Sequence, residues 1–212
     1  MELHLQLRPD ESTPLPDSTR YCHLVESLVY LTITRSDITF VVHVLSQFVS
    51  APTSVHYAHL LCVLRYLRTT LTHGFFFSSN SYLQLQAYSD ATWVSDHVDR
   101  RFVNDFCLFL DSSLIAWKSK KQTGVSRSST EAELRAMVTA AEEIVWLRWF
   151  LTDLGVVLSG PTVLYCDNTG AIQITLNPVK HSLSKHIGID TFFLRDQHHQ
   201  GTLVPRYAPS ER

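Results

Sequence analysis

Three acidic residues in this chain stand where carboxylates do chemistry. "YSDATW" puts Asp90 at the end of a short alternating stretch, and "LYCDN" puts Asp167 at the end of a wholly apolar one. In open α/β sheets, sites form at the carboxyl ends of strands. If these two strands are parallel neighbours, their carboxylates face each other across about 5 Å, the spacing of paired strands. The stretch "SRSSTEAELRAM" adds two glutamates, two positions apart. With Ser128 as N-cap, Glu131 falls at the third helical position and completes an S-x-x-E capping box. Glu133 then lies about 200° further round, on the side of Met137 and Ala140, facing the sheet. A cap at Thr130 would give Glu133 the capping task instead. A carboxylate turned toward a sheet needs a partner, and a metal is one candidate. Asp90, Glu133 and Asp167 offer oxygen donors only, a set that suits a hard cation such as Mg²⁺. Two such ions can run in-line phosphodiester cleavage, one activating water and the other stabilising the leaving oxygen. The plainer reading is that an Asp before an Asn at a strand–helix junction only caps the helix.

The elements that would hold these residues follow from periodicity. Residues 21–71 carry apolar residues at helical spacing, among them Leu24, Leu28 and Leu31, then Val41, Val44, Leu45 and Phe48. They read as three helices, with Ser36 or Asp37 capping the second and Thr53 or Ser54 the third. After residue 72 the period changes to two. "LQLQAYSD", "DFCLFL" and "LIAWKS" read as a meander of strands, with a turn at 111–113. A helix then runs from the glutamates to Leu154–Gly155, where glycine suits the C-cap. "PTVLYC" reads as a strand covered on both faces. A short helix closed by Pro178, a helix over 184–200 and a last strand "GTLVPRY" complete an α/β sheet of mixed direction.

Composition narrows the class. The chain has 212 residues, 45% hydrophobic and 18% charged, with a net charge of −2. That allows a sizeable core and argues against a strongly basic nucleic-acid binder, so any such role needs local Lys and Arg clusters. Cys22, Cys62, Cys107 and Cys166 form no C-x-x-C pair, which fits a reducing compartment better than a zinc site or disulfide framework. No signal-peptide pattern opens the chain and no apolar run reaches membrane-spanning length. The expectation is a cytoplasmic or nuclear protein with no membrane partner.

The blocks "HLVESLVYLTITRSDITFVVHVLSQF", "RYLRTT", "YSDATW", "AWKSKKQTGVSRSSTEAELRAM", "LYCDNTGAI" and "KHIGID" with "FFLRD" occur in order from about residue 21. Together they resemble the C-terminal part of the Pol polyprotein of copia-type retrotransposons, covering the reverse transcriptase connection segment and the ribonuclease H domain. The resemblance implies a ribonuclease H-like mixed five-stranded sheet flanked by helices. It implies a flexible lead-in over 1–20, a helical connection segment over 21–71 and the ribonuclease H-like domain over 72–212. It implies cleavage of the RNA strand of RNA–DNA hybrids with two Mg²⁺ or Mn²⁺ ions. Carried over motif by motif, Asp90, Glu133 and Asp167 become the catalytic, metal-binding acids. No polymerase activity is expected. The family's fourth acid lies in a helix just after the last strand, and neither Asp190 nor Asp196 aligns with it. The expectation is therefore a domain that lacks this helix and is impaired. Other departures are Thr92 where the family has a second Asp, Glu26 and Asp105 where it has Gly, Ser36 where it has Pro, and Gly188 where it has an acid.

Nucleic-acid contacts are expected from Lys118, Lys120 and Lys121, with Arg127, Arg100 and Arg101 nearby. A solvated loop accounts for them equally well. Asn168 can bond a ribose 2′-hydroxyl or cap its own helix. His181, His186, His198 and His199 match no zinc spacing, and Trp146 and Trp149 read as core. The remaining partner is the polymerase part of a Pol polyprotein. The alternative to the enzyme is a non-catalytic retroelement remnant with at most weak nucleic-acid binding.

Overall fold

The computed structural model describes residues 7, 12–79, 81–93, 101–122, 124–177 and 188–209. The chain divides into two compact units, Met1–Phe75 and Phe76–Arg212.

The first unit is helical: α1 (Ser18–Leu31), a 3₁₀ turn (Ser36–Ile38), α2 (Thr39–Ser46) and α3 (Ser54–Thr69). The apolar residues at helical spacing meet in one core around Tyr21, Leu28, Ile38, Leu45 and Leu60. Thr53 caps α3, and its N–H donates to Nδ1 of the buried His56 at 3.1 Å. Neither Ser36 nor Asp37 caps α2, which starts after Ile38 with no side-chain cap. Asp37 is drawn off by Arg35, whose Nε and Nη2 donate to its two oxygens at 2.9 and 2.6 Å.

The second unit is a five-stranded sheet with helices on one face. The strands are β1 (Leu85–Trp93), β2 (Phe102–Leu110), β3 (Ser113–Lys121), β4 (Thr162–Cys166) and β5 (Leu203–Tyr207). Their order is β3-β2-β1-β4-β5. The first three form the antiparallel meander, and β4 and β5 join parallel to β1. Helix α4 (Ser129–Asp153) lies on the sheet, joined by α5 (Thr169–Leu176) and α6 (Gly188–His199). Leu85, Ala87, Phe106, Leu108 and Leu164 of the sheet share one core with Leu134, Met137, Ala141 and Ile144 of α4. The mixed sheet and its flanking helices make this the ribonuclease H-like fold.

The ends of α4 are well specified. Ser128 Oγ accepts from Glu131 N–H at 3.1 Å, the expected N-cap. At the other end Gly155 takes φ +80°, its N–H donates to Thr152 and that of Val156 to Leu151 at 2.9 Å, a Schellman turn.

Four expectations need correction. Asp90 does not close β1, which runs on to Trp93 because its ladder with β2 continues to the Trp93–Phe102 pair. Trp146 and Trp149 are 54% and 69% exposed. They lie on the outer side of α4, where Trp146 stacks on Phe150 with ring centroids 5.4 Å apart. Lys118, Lys120 and Lys121 belong to strand β3 and not to a loop. Glu131 does not close its capping box on Ser128: its Oε2 accepts from the N–H of Arg127, one residue earlier, at 2.8 Å. Pro178, His181, His186, Arg100 and residues 184–187 lie outside the described residues. Among the described residues no helix is long and apolar enough to cross a membrane.

Candidate active site

Three backbone arrangements converge at one end of the sheet. β1 and β4 are parallel neighbours, in register through Ala87–Leu164 and Tyr88–Tyr165. Asp90 and Asp167 each lie two residues beyond the Tyr88–Tyr165 pair. The N-terminal end of α4 reaches this point, and Glu133 follows directly on its first turn. The start of α5 comes equally close: a Cβ added to Gly170 would lie 3.4 Å from Thr130 and 3.1 Å from Asn168 Oδ1. That close approach seats the Asp167–Asn168 junction against the head of α4.

Glu133 is buried, at 6% exposure. Its Oε1 accepts the N–H of Ala91, the residue after Asp90, at 3.3 Å. Its Oε2 lies 3.8 Å from Cys166 Sγ, whose thiol donates to it. Burial, followed by the charges of Asp90 and Asp167, pushes its carboxyl up to about 8. Without a counter-ion this acid therefore holds its proton at neutral pH.

Donor atoms of Glu133, Cys166 and Asp167 lie within 4.8 Å of one another. Among the described residues this is the one His, Cys, Asp and Glu group that close. Asp90 is not of that trio, although its charge reaches Glu133. The donor chemistry fits a hard divalent cation, since the carboxyls of Glu133 and Asp167 lie together, the charge of Asp90 reaches Glu133, and Glu133 is too buried to ionise alone. Cys166 is a poor thiolate donor at neutral pH, because burial pushes its thiol up to about 12.

The other expected residues fall outside this group. Asn168 serves as the N-cap of α5, its Oδ1 accepting from Ala171 N–H at 3.0 Å. Lys118 and Lys120 are exposed on β3, Lys121 is half-buried, and Arg127 is exposed just before α4. Glu131 is tied to Arg135 by an ion pair of 2.9 Å. His198 and His199 end α6 and are not members of the group. Cys166 is the neighbour that spacing rules passed over, because they seek paired cysteines. Strand alternation carries the signal: Thr162, Leu164 and Cys166 are the buried positions of β4.

No family model matches the chain. It is 47% identical over 191 residues to the retrovirus-related Pol polyprotein from transposon RE2 of Arabidopsis thaliana, covering 90% of the chain and 13% of that protein. It is 33% identical over 177 residues to the Pol polyprotein from transposon TNT 1-94 of Nicotiana tabacum, again 13% of the relative. The chain thus spans about an eighth of the length of these relatives. The N-terminal RNase H domain of rv2228c from Mycobacterium tuberculosis superposes on 61% of the chain, and 85% of that domain, at 12% identity and a TM-score of 0.40. From its similarity to the transposon polyproteins, the chain belongs to the Pol polyprotein family of copia-type retrotransposons, and it carries a ribonuclease H-like domain of that family.

Proposed function

We propose that the sheet unit is the ribonuclease H of a retrotransposon Pol, cutting the RNA strand of RNA–DNA hybrids with two divalent cations, Mg²⁺ or Mn²⁺. The observation that carries this reading is Glu133, a buried carboxyl set against Asp90 and Asp167. Asp90, Glu133 and Asp167 would hold the ions. Divalent cations at such a site lower the pKa of water and offset charge developing on the phosphate. The chain's own share is positional. The Ala91 N–H fixes one Glu133 oxygen, and the Ser128 cap fixes the first turn of α4, just before Glu133. Lys118 and Lys120 project from the exposed edge strand, where they can contact phosphates without touching bases. Within this reading the helical unit is the connection segment, and its partner is the polymerase part of Pol.

A second reading has one observation behind it. Asp105, where the resemblance calls for Gly, is the direct ladder partner of Asp90. Like charges so placed weaken a strand pair. This favours a remnant that binds weakly and does not cut.

The test is a labelled RNA–DNA hybrid incubated with the purified chain and Mg²⁺ or Mn²⁺. RNA-strand cleavage that is lost on Asp90→Asn or Asp167→Asn is the expected result and sinks the remnant. A folded chain that cuts neither alone nor when extended by the next Pol segment overturns the enzyme.

A further inference from the structure

Strand register adds one more residue to the cation site, an inference that rests on the function just proposed. In the β1–β2 ladder Asp90 pairs with Asp105, and Tyr88 with Cys107. Directly opposed residues of antiparallel strands leave the same face, with Cβ atoms about 4.5–5.5 Å apart. Residues two apart on one strand share a face as well. Asp90, Asp105, Tyr88 and Cys107 therefore project together. The charge of Asp105 reaches the Cys107 thiol, as that shared face requires. Tyr88 also stacks on Tyr165 of β4, with centroids 4.8 Å apart, so the row extends to the third strand. Asp167 stands two residues beyond Tyr165. Asp105 and Asp90 thus stand side by side on β2 and β1, and Asp167 follows directly on the end of β4.

Two-ion centres hold their ions about 3.5–4 Å apart, so a pair spans more than one carboxylate. Glu133 and Asp167 crowd one side of Asp90, within 4.8 Å of each other. The opposite side of Asp90 is the β2 side, and the acid there is Asp105. We propose that Asp105 is a further ligand of the divalent cation site, sharing with Asp90 the ion farther from Asp167. A divalent cation held there would offset the like charges of the Asp90–Asp105 pair. The competing structural partner is Lys121. It stands two residues beyond Ser119, which faces Asp105 across the β2–β3 ladder, so it shares that face.

The experiment is titration of the EDTA-stripped full chain with Mn²⁺, followed by calorimetry and by the electron paramagnetic resonance of free Mn²⁺. Wild type, Asp105→Asn, Asp105→Gly and Asp90→Asn are compared, with the melting temperature of each measured with and without Mn²⁺. Both Asp105 variants are expected to lose one of two ions, or to bind about tenfold more weakly, the scale on which groups around a metal act. Their Mn²⁺-induced rise in melting temperature shrinks to match. Unchanged or tighter binding by both, with loss in Asp90→Asn, overturns the role of Asp105 and leaves the cation site standing. A lower melting temperature with unchanged affinity assigns Asp105 to an ion pair with Lys121 and also overturns it. A folded wild type that binds no Mn²⁺ removes the parent reading and this one together.

Discussion

Arg35 in the helical unit and Glu133 in the sheet unit are both buried ionisable groups, at 9% and 6% exposure, in opposite company. Arg35 is matched on every side. It donates to both oxygens of Asp37, and through Nη1 and Nη2 to the carbonyl and hydroxyl of Thr70 at 3.1 and 2.8 Å. Tyr66 donates to the same Asp37 at 2.7 Å. The Arg35 bond, the largest cause, holds the Asp37 carboxyl below its usual range. Glu133 instead has Asp90 and Asp167 as its charged neighbours, all of one sign. A matched buried ion fixes a scaffold, whereas a buried carboxyl beside like charges keeps its proton unless a cation offsets them. One network is finished by the chain itself, and under the proposed function the other is finished by a bound cation.

The largest expected effect separates the two on activity. Asp90→Asn, Glu133→Gln and Asp167→Asn each reduce hybrid cleavage by about 10³-fold or more, since several kcal/mol of charge stabilisation are lost. The same assay on Arg35→Met shows near-normal cleavage per folded molecule. A Glu133→Gln enzyme that still cuts at wild-type rate would break the comparison.

Stability gives the reverse order. Arg35→Met leaves Asp37 with a single neutral partner in Tyr66 and lowers unfolding free energy by about 2–4 kcal/mol in urea titrations. Glu133→Gln in EDTA at pH 7.5 is expected to keep or raise the melting temperature. Equal losses in both variants would show that Glu133 is matched after all.

The pH dependence follows from the same contrast. The folded Glu133 carboxyl titrates at about 8, against an ordinary 4.5. Between those values the native state keeps a proton that the unfolded state has released, so stability falls with rising pH. The contribution is complete below about 4.5 and is lost as pH rises through 8. Melting curves in EDTA should decline across that window, flatten in Glu133→Gln, and recover at high pH on adding Mg²⁺. A curve equally steep in the variant assigns the decline to another group.

Smallest is the cap. Ser128→Ala removes the bond to Glu131 N–H and costs about 1 kcal/mol. Because that turn leads directly into Glu133, cleavage should fall more than the stability loss alone implies. A purely proportional loss would reduce Ser128 to a helix cap.

Much of the fold was legible because its signals are local. The switch from helical to alternating spacing near residue 72, the Ser128 cap and the Leu154–Gly155 stop are each written within a few neighbouring residues. The pairing of β1 with β4 had to be supposed, yet once supposed it placed Asp90 and Asp167 level with each other. What stayed hidden depends on residues far apart in the chain. The outward turn of Trp146 and Trp149 is set by which side of α4 the sheet leaves bare, and a helical repeat cannot tell that. Asp37 reads as a cap until Arg35 and Tyr66 are seen to claim it, the latter from 29 residues away. In the sequence Asp105 stood out only as an acid where the resemblance calls for Gly. Register is what sets it against Asp90.

Cys166 carries a consequence for watching this domain at work. The four thiols are free, and they differ widely in access: Cys62 is exposed while Cys166 is buried beneath Glu133. A protonated, covered thiol is nearly inert to alkylating reagents, so its modification rate reports how often the ground around it opens. Cys166 is therefore a native clock for breathing at the head of α4, readable by mass spectrometry against Cys62 as the fast reference. Anything that clamps the acids together, a cation or a hybrid, should slow that clock without altering the reference.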